Sequence, residues 1–307
     1  MSGALFNSSA AIVVLPENSL VFWSYLAFFT ILAVGLVTMF VRGDWQKAHG
    51  IDKLPLFGPL FYGAPVAAFG VEHFTLTDGM TTMIPGWIPW HRFWVLFLGT
   101  CFILAALSLV TKIWARFSAF MLGLTFFLFV ALMHFPGWLG HTQNREALSV
   151  VFRETSFSGG ALAFAAGLNG QWRERGSRIL AAIGRYFVAI PVLFFSFEQF
   201  THGRYLAGVP LTRLTPNYIP GGSMWTYLAA IIYAVAGILL VANRKSRAAA
   251  TWLGATVLFI ELIIYVPIGI VDRASLDNGL NYVADTLMFC GAVLLLAIAM
   301  PRESKQP

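Results

Sequence analysis

Nine stretches of about twenty predominantly apolar residues divide this chain, and no other feature limits its fold so severely. They fall at 20–41, 56–74, 90–110, 117–135, 147–168, 183–200, 225–241, 248–266 and 280–300. Each has about the length a helix needs to cross a hydrocarbon layer of roughly 30 Å, whereas a strand would need about half as many residues. Lipid offers the backbone no hydrogen-bond partners, so helices, which satisfy their own N–H and C=O groups, are the expected element. The composition agrees: 58% of residues are hydrophobic and 11% charged, against roughly 25% charged in an average soluble domain. The chain reads as an all-α polytopic membrane protein with the lipid bilayer as its first partner. A net charge of +6 needs no nucleic acid to explain it, because most Lys and Arg sit in short segments between apolar runs, where they set orientation. Cys101 and Cys290 lie inside apolar runs and form no C-x-x-C pair, which argues against thiol redox chemistry.

Residues 1–19 hold no Lys or Arg, and Arg42, Lys47 and Lys53 follow the first run at once. That asymmetry places the amino terminus outside and the 42–55 segment inside. With nine spans, the inner segments collect 14 of the 20 basic residues, and the outer side keeps Arg92, Arg145, Arg153, Arg204, Arg213 and Arg273. The carboxyl terminus is then inside.

The chain is also internally repeated. GPLFYGAPVAAFGVEHF (58–74) and GRYFVAIPVLFFSFEQF (184–200) share seven of seventeen positions, among them Pro65 with Pro191 and Glu72 with Glu198. PGWIPWHRFW (85–94) recurs as PNYIPGGSMW (216–225). The register then carries Arg116 onto Arg247, Pro136 onto Pro267, Glu154 onto Asp285 and Gly160 onto Gly291. The expected organisation is an amino-terminal helix and inner linker (1–55) followed by two tandem four-helix bundles, 56–182 and 183–307. An even number of spans per half gives both halves one orientation, related by an axis along the membrane normal.

Polar chemistry collects on the outer side. Five of six histidines (His73, His91, His134, His141 and His202) fall there, with both glutamates of the repeated motif. Glu154 and Asp285 lie about a turn and a half into their spans, and Glu261 lies deeper. Ionisable groups at such depth face a bundle interior or a water-filled cavity and mark a functional site by default. Features kept by both halves, namely the prolines, Glu72 and Glu198, the I-P corner, Trp94 and Trp225, and Glu154 and Asp285, are most simply structural. Features of the first half alone are His73, His91, Arg92, His134 and Arg153, which face Gln199, Gly222, Ser223, Tyr265 and Ala284. Drift explains that asymmetry; so does a working site in the first half alone. On the second reading Glu72, His73, His134, Arg153 and Glu154 handle protons and anionic or carbonyl groups, and Trp87, His91, Arg92, Glu198, Glu261 and Asp285 contribute to binding. An outward cavity in the first half would bring Glu72, His73, His91, Arg92, His134, Arg153 and Glu154 together, with Arg153 paired to Glu72 or Glu154. No H-x-x-H or H-E-x-x-H spacing exists, so no metal site is expected. The outer and inner Trp residues read as interface anchors.

An F-x-x-E-H/Q-F end on the first span of each unit, a P-x-W-I-P corner and an acidic residue entering the fourth span resemble the DoxX-like family of bacterial membrane proteins. The likeness covers nearly all of 56–300 as two fused units and leaves the first span outside. It implies a bacterial inner-membrane location. Its members include proteins linked to thiosulfate:quinone oxidoreduction and to oxidative-stress complexes, so three functions are carried forward. The first is a membrane subunit of a quinone-linked oxidoreductase, with a quinone headgroup as ligand and a separate soluble or membrane redox partner supplying electrons. The second is a small-solute carrier or permease, suggested by parallel repeats and intramembrane acids. The third is a non-catalytic accessory subunit.

Overall fold

The computed structural model describes residues 20–167, 174–209 and 213–301. The 1–19 segment, Leu168, Arg173, Arg302 and Lys305, used above for orientation and span limits, lie outside the described residues. Among the described residues, nine long helices are present: α1 (Leu20–Val41), α2 (Gly58–Thr75), α3 (His91–Thr111), α4 (Ala115–Phe129), α5 (Arg145–Gly167), α6 (Arg175–Thr201), α7 (Ser223–Val241), α8 (Ser246–Ile260) and α9 (Asn281–Ala299). Among the described residues there is no strand, and one isolated bridge joins Tyr205 to Leu214.

Among the described residues, eight helical stretches are long and apolar enough to cross a membrane. The helix outside that set is α5, which spans 23 residues but carries Arg145, Glu146, Arg153 and Glu154. It tolerates those charges because it is surrounded by protein. Every residue from Ser156 to Ala166 on it is buried. The peripheral helices turn the opposite kind of surface outward, with Phe29, Leu104, Phe117, Ile231 and Trp252 all more than half exposed. Bare apolar surface of that extent belongs against hydrocarbon.

The two groups of four helices do not sit side by side as separate bundles. Neighbour packing runs α2–α3–α4–α5–α6–α7–α8–α9 and closes from α9 back onto α2, forming one ring; α5 and α9 also pack against each other across it, and α1 lies outside on α2 and α3. The first helix of each half thus leans on the fourth helix of the other. Tyr62 on α2 donates its hydroxyl to the Phe157 carbonyl of α5 at 3.0 Å, a bond across the core between the first and fourth helices of the first half. The physical reason lies in small residues on α5 and α9, which let backbones approach where lipid supplies no hydrophobic drive. A Cβ on Gly160 would run into the backbone of Ala292, and one on Gly291 into the backbone of Tyr62.

Two local departures from regular helix recur 131 residues apart. Short π-helices occupy Val130–His134 and Glu261–Tyr265, each closed by an N–H bonding five residues back, Phe135 to Val130 and Val266 to Glu261. Pro136 and Pro267 follow, and their missing N–H groups favour a widened turn. The α3–α4 and α7–α8 connections also match: Lys112 and Trp114 in one, Asn243 and Lys245 in the other, all adopt positive φ.

Gly160→Leu should prevent the α5–α9 approach. We expect a loss of about 1–3 kcal/mol from overpacking, read as a lower midpoint in thermal unfolding of the detergent-solubilised protein, with Gly176→Leu, which meets nothing within 4 Å, as the neutral control.

Candidate functional site

At the end of the ring opposite the Lys112 and Lys245 turns, charged side chains from both halves enter the core. Glu72 closes α2 and is 4% exposed; Glu261 opens the π-helix after α8 and is 2% exposed. Arg153 and Glu154 come from α5 and Asp285 from α9. Arg153 Nη1 meets Asp285 Oδ2 at 2.6 Å, and His134 Nε2 meets Glu154 Oε1 at 3.0 Å. Glu72 and Glu261 each stand close enough to Asp285 to interact with it electrostatically, and Glu154 faces both Asp285 and Tyr62. Asn281, one turn before Asp285, lies beside Glu72.

Three carboxyl groups, Glu72, Glu154 and Glu261, therefore gather around Asp285, which alone pairs with the Arg153 guanidinium. Several of their atoms have no hydrogen-bond partner: Glu72 Oε1, Arg153 Nε, Glu154 Oε2 and both oxygens of Glu261. Burying a polar atom in this way costs about 1–3 kcal/mol, and more if it is charged. A bundle selected for stability alone would have apolar residues here. The arrangement suits the holding of protons or a cation and their transfer between neighbouring carboxyls and the His134 imidazole. Among the described residues no three His, Cys, Asp or Glu side chains are placed to hold a metal ion.

The other expected site residues fall elsewhere. His73 turns towards α3: its Nδ1 lies 2.7 Å from the Phe69 carbonyl and its ring packs edge-on against Phe102. Gln199 makes the same bond in the second half, Nε2 to the Phe195 carbonyl at 3.0 Å. The imidazole and the amide thus do one structural job. Arg92, with 70% of its side chain exposed, pairs with Asp78 at 3.1 Å. Trp87 is 71% exposed and His91 is half-buried at the start of α3. Glu198 belongs to a second pair: Arg145 grips it at 2.7 and 3.1 Å while lying over the Tyr205 ring, and His202 Nδ1 stands 3.6 Å away.

Two expectations are therefore corrected. Arg153 binds Asp285 of the other half rather than Glu72 or Glu154, because α5 packs on α9 and the seam between α2 and α5 is sparse. The polar residues also do not form a cavity of the first half alone: the cluster straddles both halves, and clefts of about 790 and 410 Å³ open instead at the basic end. Arg145 and Asn281 were not singled out from the sequence. Asn281 carried a readable signal, its i, i+4 spacing to Asp285; Arg145 had none, lying 53 residues from Glu198. Comparison with protein-family models, curated proteins and solved structures finds no match to this chain.

Removing one partner of the central pair leaves an uncompensated buried charge. Arg153→Leu is expected to cost about 3–5 kcal/mol in thermal or denaturant unfolding. Adding Asp285→Leu should restore most of that loss, and a double variant no more stable than the single would contradict the pairing.

Proposed function

We propose that this integral membrane protein is a proton-coupled carrier of small solutes, in which the cluster of Glu72, Glu154, Glu261 and Asp285 takes up and releases protons. The observation that carries this reading is four carboxyl groups, two of them buried and two half-buried, gathered where Arg153 pairs with Asp285 alone. Fully ionised, they would set four negative charges against Arg153 and the His134 imidazole, an excess of at least two at membrane depth, where each costs several kcal/mol. Proton or cation uptake relieves that charge. The cluster's residues come from helices of both halves, which also supports the reading, since carriers built from repeats bind at the repeat interface.

The same reading takes the chain as nine spans with α5 included, as two repeats of one unit, and as oriented with the cluster outward and the basic turns inward. Support comes from the 14 to 6 split of basic residues, and from the π-helices and positive-φ turns recurring at one offset. A second reading, a DoxX-like membrane subunit of a quinone-linked oxidoreductase in a bacterial inner membrane, draws on a different observation. The His134–Glu154 pair is adjacent in sequence to Arg153, so a proton source and a carbonyl donor stand together.

Infrared spectroscopy of the reconstituted protein at neutral pH should show a protonated carboxyl band that shifts on deuteration. Glu261→Gln should diminish it and Glu198→Gln, outside the cluster, should not. Absence of the band in the unsubstituted protein would sink the proton-handling function, and a quinone analogue that perturbs it through Arg153 would favour the second reading.

Topology has its own check. An impermeant thiol reagent added outside intact cells should label Gly86→Cys and leave Lys245→Cys untouched; the reverse pattern would invert the orientation.

A further inference from the structure

The basic end of the bundle carries two clefts that correspond residue for residue. The larger, about 790 Å³, is lined by Lys112, Trp114, Ala115 and Arg116 from the α3–α4 turn; the smaller, about 410 Å³, by Asn243, Lys245, Ser246 and Arg247 from the α7–α8 turn. Those positions are all 131 residues apart. The opposite walls match as well. Asp52, Pro55, Leu56 and Pro59 line the first, and Arg178, Ala181, Ala182 and Arg185, each 126 residues later, line the second. Arg247, Met300 and Pro301 are common to both.

We propose that these twin clefts bind phosphate groups, and that the principal ligand is the headgroup of an anionic phospholipid. Charge is the first argument. Eight cations line the two clefts against two carboxylates, Asp44 and Asp52. Both carboxylates are already engaged, Asp44 with Lys112 at 2.5 Å and Asp52 with Arg247 at 3.0 Å. Arg42, Arg178 and Lys245 make no side-chain hydrogen bond or ion pair among the described residues. An excess of cations held in a concave surface attracts anions, and guanidinium groups match phosphate geometry.

Rigidity is the second argument. Arg185 is buried and donates to the Leu240 and Val241 carbonyls, and Arg247 donates to the Ala297 carbonyl at 3.0 Å. The two side chains are fixed before any ligand arrives, which lowers the cost of ordering them on binding.

The third argument selects a lipid. Phe164, Ile298 and Met300 give the larger cleft an apolar floor. A charged mouth over an apolar floor suits an amphiphile, and basic pockets between transmembrane helices are recognised sites for anionic headgroups. This inference is independent of the carboxylate cluster, which lies at the other end of the ring.

The test uses the full-length chain in a neutral detergent, titrated at constant ionic strength with phosphatidylglycerol, phosphatidylcholine or inorganic phosphate, and followed by native mass spectrometry and thermal unfolding. Phosphatidylglycerol should be retained and should raise Tm, and phosphatidylcholine should do neither. Arg178→Ala with Lys245→Ala should weaken retention about tenfold or more while leaving the lipid-free Tm unchanged, since neither side chain makes a hydrogen bond or ion pair among the described residues. Arg42→Ala, alone in the larger cleft, serves if the double variant does not fold. Inorganic phosphate that raises Tm and displaces the lipid would assign the clefts to soluble phosphate compounds as well. Equal retention of phosphatidylcholine, or retention unaffected by the variants, would overturn the proposal.

Discussion

The close approach of α5 and α9 is the constraint on which the rest of this structure depends. Gly160 lies against the backbone of Ala292, and that contact brings Arg153 and Asp285 within 2.6 Å. Without it α5 would carry an unpaired guanidinium into the core of a membrane protein. With it, the most polar long helix becomes one of the most buried, and the first helix of each half is left to pack on the fourth helix of the other. One ring results, with α5 and α9 at its centre and apolar surface turned outward.

The ring's two ends have opposite chemistry. At one end acidic groups outnumber their cations and sit buried with atoms unpartnered; at the other cations outnumber acids and line open clefts. These differences matter because the two environments impose different costs. A carboxyl enclosed by helices needs a proton or a counter-ion. Basic groups at a cleft mouth remain hydrated and can exchange water for phosphate with little rearrangement.

Correspondence between the halves helps to separate architecture from chemistry. The π-turns before Pro136 and Pro267, the positive-φ turns, and the back-bonds of His73 and Gln199 occur in both halves and do the same work in each. The charged partners do not match. Glu198 has Arg145, whereas Glu72, its counterpart, has the neutral Asn281 beside it. Val130 stands where Glu261 opens the other π-helix, and Tyr265, which donates to the Ala207 carbonyl at 2.7 Å, stands where His134 binds Glu154. The unbalanced charge arises from those substitutions.

The sequence by itself determined the class of this protein and the place of its helices, because membrane compatibility depends on local apolarity and α2, α3 and α7 can be read from their own residues. It also marked Glu154, Glu261 and Asp285 as anomalies, since a charge inside an apolar run is visible without a fold. Pairing was decided by tertiary structure alone. Arg153 and Asp285 lie 132 positions apart, and nothing local distinguishes Asp285 from Glu72 or Glu154 as the partner. Likewise, only the tertiary structure shows that His73 and Gln199, different in type, make the same bond to the carbonyl four residues back. Charge pairing in a bundle follows from which helices touch, and that depends on small residues meeting across the core, a relation between distant segments that no single stretch of sequence contains.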